Sequence, residues 1–111
     1  MDRQQQAAFL DSEREIHDLR FRLLDVRIGQ IDRFDADEDF AAIVTKALEC
    51  GLGKEELLAE LPCSWSTVTR WASGQVKPAR IARRAIKAKL IEMLGRKRSE
   101  HIEEARHLVA A

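Results

Sequence analysis

The chain has 111 residues, 45% of them apolar, with 5% aromatics, no tyrosine, two prolines and five glycines. That length suits one domain with a modest core, and the composition favours an all-helical protein over a sandwich or barrel. No apolar run is long enough to cross a bilayer, and the start MDRQQQAAF lacks the apolar segment of a signal peptide, so a cytoplasmic chain is expected.

Nineteen basic and nineteen acidic residues cancel, but they are segregated. Residues 1–61 hold eight basic and fifteen acidic side chains, whereas residues 62–98 hold ten basic and only Glu92. A basic block of this kind points to a polyanionic partner, and its bland alternative is a solvated helix or one docked on the acidic half. Cys50 and Cys63 follow no metal spacing and read as free thiols packed as small hydrophobes.

In chain order, residues 3–34 predict a long helix. Phe9, Ile16, Leu19, Leu23 and Val26 recur at spacings of three, four and seven and share one side, the candidate dimerisation strip. Leu10, Phe21 and Ile28 make a second strip, with Leu24 and Ile31 between the two. One strip is expected to cover the domain and the other to meet a second copy. Gly29 marks a plausible break.

The acidic stretch Asp35–Asp39 is a boundary that supplies a helix N-cap and acidic first-turn residues. A helix over 40–49 follows, facing the core with Phe40, Ile43, Val44, Ala47 and Leu48, and it ends at Gly51. The next helix covers 54–61, with Leu52 and Leu57 as a staple and Glu56 at its capping position. Ser64 caps a helix over 65–73, with Cys63 and Val68 as its staple, and Gly74 closes it. Pro78 occupies the first position of a last long helix reaching about Leu94. The tail from Ser99 is amphipathic enough to be helical.

Two short helices meeting at a tight turn, the second with small polar and cationic side chains on its free face, form the layout of a helix-turn-helix. Val68 and Trp71 would join Leu57, Leu61 and Cys63 in the seam. This leaves Trp65, Ser66, Thr69 and Arg70 to read base edges, with Ser64 and Thr67 beside them. Arg80, Arg83, Arg84 and Lys87 fall at i, i+3, i+4 and i+7 and form a stripe suited to a phosphate backbone.

The segment from Leu57 to Ala79, with Ser66-Thr-Val-Thr-Arg-Trp71, Gly74 and Lys77-Pro78, resembles the helix-turn-helix of the lambda-repressor/Cro-like family of bacterial and phage regulators. The resemblance spans about residues 40–94. It implies groove-facing Ser64, Trp65, Ser66, Thr69 and Arg70, with Lys54, Thr67 and Lys77 near the DNA backbone. Two departures stand out: Pro62 falls where the family usually has Gly, and Leu58 replaces a customary small residue. A differently built turn is therefore expected.

Catalysis has little support: His17, His101 and His107 are scattered, no nucleophile arrangement is legible, and no Gly-rich phosphate loop or metal spacing is present. No cofactor is implied. The expected organisation is a helical element over 1–36, a helix-turn-helix domain over 37–98 and a tail over 99–111. The fold class is all-α, a compact helix-turn-helix bundle with a long N-terminal helix. The leading functional expectation is a dimeric, sequence-specific transcriptional regulator of double-stranded DNA. A protein-interaction module, such as an antitoxin or an adaptor to polymerase or another regulator, engaging a protein partner through the N-terminal helix, is the alternative. A nonspecific architectural nucleic-acid protein ranks behind both.

Overall fold

In the computed structural model, which describes the backbone of residues 3–110 and the side chains of residues 11–108, periodic apolar spacing becomes helix throughout. The elements are α1 (Arg3–Arg33), α2 (Phe40–Glu49), α3 (Lys54–Glu60), α4 (Trp65–Ser73) and α5 (Arg80–Ala110), with no strand among the described residues. The protein is all-α. Its α2, α3 and α4, with the adjoining halves of α1 and α5, form the compact bundle, and the far halves of α1 and α5 extend beyond it. A radius of gyration of 17.1 Å exceeds the roughly 13 Å of a compact chain of this length for that reason.

One core holds the bundle together. Leu24, Ile28 and Ile31 of α1 join Phe40, Ile43, Val44 and Ala47 of α2, Leu57 of α3, Val68 and Trp71 of α4, and Leu90, Met93 and Leu94 of α5. Burying side chains of this size stabilises by about 1.5–3 kcal/mol each. Phe40 meets Trp71 edge to ring at 5.7 Å, which ties α2 to α4. Leu48 lies at the margin of this core.

Several boundaries differ from expectation. Gly29 does not break α1, whose glycine meets only the end of the Arg33 side chain at 3.8 Å. Nor does α5 stop near Leu94: it runs through Gly95 to Ala110. One interior glycine costs about 1 kcal/mol, and the helix is held on both sides of Gly95. Leu90, Met93 and Leu94 are buried before it, and Lys97 and Arg98 beyond it pair with Glu56 and Asp25. The same helix begins at Arg80, so Pro78 lies just outside it, and the Pro78 carbonyl accepts a bond from Arg83 at 3.0 Å.

The acidic boundary is also built differently. Asp39 sits at the N-cap of α2 without a side-chain cap bond and turns back to accept from Asp35 N at 2.9 Å. Asp35 accepts from Asp37 N and Glu38 N at 2.7 and 3.0 Å, which holds its carboxyl below its usual value. The stretch is a self-capped loop. Glu56 likewise makes no cap bond at α3 and reaches Lys97 instead.

Candidate nucleic-acid interface

Pro62 decides the turn between α3 and α4. No described residue other than glycine has positive φ, so the family's glycine geometry is absent. Instead Cys63 N donates to Leu61 O at 2.8 Å, a three-residue turn centred on Pro62, whose fixed φ suits it. Leu61 is extended at the end of α3 and buries its side chain. Leu58 is half-buried at the edge of the core.

At the N-terminus of α4, Ser64 Oγ accepts from Thr67 N at 3.2 Å. The C-terminus closes with Gly74 at φ +79°, where Gly74 N donates to Trp71 O and Gln75 N to Arg70 O. Those two bonds are the left-handed cap that glycine permits. Thr45 Oγ1 of α2 donates to Ala72 O at 3.2 Å, and Val68 and Trp71 anchor the inner side. The helix is thus fixed at both ends and along one face.

Its other face carries Ser66, Thr69 and Arg70 in the open. Thr69 Oγ1 donates to Ser66 O at 2.9 Å, and Ser64 Oγ lies 3.0 Å from both Ser66 Oγ and Thr67 Oγ1. These hydroxyls keep lone pairs for further contact. Arg70 is exposed and enters no ion pair among the described residues, and the same holds for Lys54 and Lys77. Trp65 differs from the expected outward reader: its ring is half-buried against the core margin.

The basic stripe of α5 is largely turned onto the acidic half of the chain. Arg80, Arg83 and Arg84 converge on Asp37 at 2.7, 3.5 and 3.7 Å, and the Arg80 bond holds the Asp37 carboxyl below its usual value. Lys87 Nζ donates to Asp32 O at 2.8 Å and Phe34 O at 2.7 Å, capping the carbonyl end of α1. Arg83 is 17% exposed and its Nε is buried without a partner, whereas Arg84 is 66% exposed. Only Arg80 and Arg84 of the stripe therefore stand open to an incoming phosphate. Lys89 and Arg96 share Glu60, whose carboxyl the Arg96 bond lowers.

A scan against protein-family models and searches of curated proteins and of solved structures found no match.

Away from α4, the helix pair brings together two residues that spacing had left scattered. His17 Nδ1 and His101 Nδ1 lie 3.3 Å apart, and burial followed by the nearby His17 pushes His101 below its ordinary value. Eighty-four residues separate them in sequence, so only the antiparallel packing of α1 on α5 could reveal the pair. Cys50 and Cys63 are free and half-buried, and burial raises both thiols. No described group of three or more His, Cys, Asp and Glu residues is placed to hold a metal ion. No helix among the described residues is long and apolar enough to cross a membrane. Of the dimerisation strip, Ile16, Leu19, Leu23 and Val26 are all exposed, while the side chain of Phe9 lies outside the described residues.

Proposed function

We propose that the protein is a small sequence-specific DNA-binding regulator that enters the major groove with α4. The supporting observation is Arg70. It projects from a helix whose ends and inner face are locked, and it remains outside the ion pairs that absorb most of the basic block. A guanidinium held in this way can donate a fork to guanine O6 and N7, with Ser66 and Thr69 beside it. Lys54 and Lys77 flank the same unit, and the exposed guanidinium groups of Arg80 and Arg84 can reach a phosphate while Arg83 stays on Asp37. The likeness of residues 40–94 to the lambda-repressor/Cro-like pattern points the same way.

Selection of bound sites from a random duplex pool tests this reading. An enriched motif with two-fold half-sites is expected from a dimer, and binding that ignores sequence even at low salt would sink it. The exposed apolar strip of α1 supports a second role in protein interaction, compatible with DNA binding by the other end of the molecule.

A further inference from the structure

We infer that the outward side of α1 is a self-association surface that takes a second copy of the same chain in antiparallel orientation. Ile16, Leu19, Leu23 and Val26 stand at alternating spacings of three and four, the a and d positions of a heptad. They are 40–63% exposed, whereas Leu24, Ile28 and Ile31 of the same helix are buried. At about 100° per residue, Ile28 stands about 180° round the helix from Leu19. The two rows are centred about 130° apart round the helix and come nearest at Leu23, which borders the groove between α1 and α5 beside Leu24 and His101. A contiguous apolar row of this kind is seldom left uncovered on a monomer.

The charges flanking the row choose the orientation. Glu13 and Glu15 lie toward one end, Arg20 and Arg22 toward the other, and among the described residues Arg22 is held only by an exposed pair with Asp18 at 3.0 Å. A parallel copy would set Glu15 beside Arg20 but also Arg22 beside Arg27, so attraction and repulsion offset each other. Reversing the copy about an axis near residues 17–18, which sets Ile16 across from Leu19, brings Glu13 across from Arg20 and Glu15 across from Arg22, each pairing repeated by the two-fold axis. The antiparallel arrangement also carries the two bundles to opposite ends, with their cores about 30–40 Å apart along the helices. That matches the roughly 34 Å between half-sites one DNA turn apart, and this last correspondence alone rests on the DNA-binding reading.

Light scattering on the full chain without DNA is the test, so its outcome is independent of whether DNA is bound. The expected mass is twice the 12.7 kDa of one chain, falling to one chain's mass in Leu19→Glu/Leu23→Glu with the helical circular-dichroism signal retained. A single-chain mass for the wild type at every concentration up to its solubility limit overturns the proposal, whether or not the variant folds. Orientation is read with Val26→Cys under oxidation, beside the oxidised wild type as control for Cys50 and Cys63. A dimer that gains no covalent cross-link is expected, because reversal moves the two positions well beyond the roughly 7 Å that a disulfide spans. A high yield of cross-linked dimer overturns the antiparallel assignment.

Discussion

Replacing Lys87 by Met separates the two roles that a basic residue on α5 can play. The ammonium donates at 2.8 and 2.7 Å to the carbonyls of Asp32 and Phe34, at the end of α1 where the helix dipole is negative. Bonds to charged groups contribute about 1.5–3 kcal/mol when water cannot replace them. Here Asp32 is exposed, and water can take over part of the role. Losing both bonds while keeping an apolar stem is therefore expected to cost about 1–2 kcal/mol. For a chain of this size that lowers Tm by about 4–8 °C. The dependence of DNA affinity on salt should stay as in the wild type, because no phosphate contact is removed. Arg84→Gln should behave in the opposite way. Arg84 is exposed and Asp37 keeps Arg80 and Arg83 without it, so the 3.7 Å pair holds little stability, and loss of a phosphate contact should flatten the salt slope by about 0.9. Thermal unfolding and a salt titration of binding read the two effects. If Lys87→Met left Tm within about 1 °C of the wild type and lowered the slope by about 0.9, the assignment of Lys87 as a helix clamp would be refuted.

Arg70→Ala should reduce discrimination between the selected site and single-base variants by about 1–3 kcal/mol, seen in competition binding; equal loss on every sequence would contradict base reading. Gly74→Ala should destabilise by about 1–2 kcal/mol in denaturant unfolding, because the φ of +79° is strained for alanine while the added carbon meets only Ala41 at an ordinary 4.0 Å. A larger loss would mean that the cap is tighter than the contact implies. His101 binds its proton less readily in the folded chain than in the unfolded one. Its contribution is therefore present above about pH 6.5 and lost as pH falls through the lower folded value. Denaturation midpoints should decline over that range in the wild type and less in His101→Gln. Asp35, Asp37 and Glu60, also held below their usual values, act in a more acidic window, at about pH 4 and below. Parallel declines in the two chains would remove His101 as the cause.

Local chemistry was legible along α4, less so at the Asp39 and Glu56 caps, at Gly29 and at the ends of α5, and long-range partnering was not. Ser64, Gly74 and the Val68/Trp71 pair declare the start, end and inner side of α4 because each acts within one or two turns of its own position. Periodicity likewise puts Ile16, Leu19, Leu23 and Val26 on one side, but it left Leu24 and Ile31 between two strips, and it took the packing of α1 to bury them with Ile28. The same spacing puts Arg80, Arg83, Arg84 and Lys87 on one face, but it is silent on what that face meets. The answer depends on Asp37 and on the carbonyls of Asp32 and Phe34, about fifty residues upstream, which reach α5 only when α1 folds back against it. Pro62 shows a third case: the missing glycine was visible, yet the three-residue turn that replaces it depends on Leu61 being buried and extended. The neutral net charge carries the same lesson at the scale of the whole chain. A basic block that faces its own acidic half cannot act as one broad anion-binding surface. On the proposed reading, what remains for DNA is a small set of cations, Arg70 with Lys54 and Lys77 and the exposed Arg80 and Arg84. A contact that small gains affinity chiefly by being presented twice, so the apolar side of α1 and the open face of α4 belong to the same functional argument.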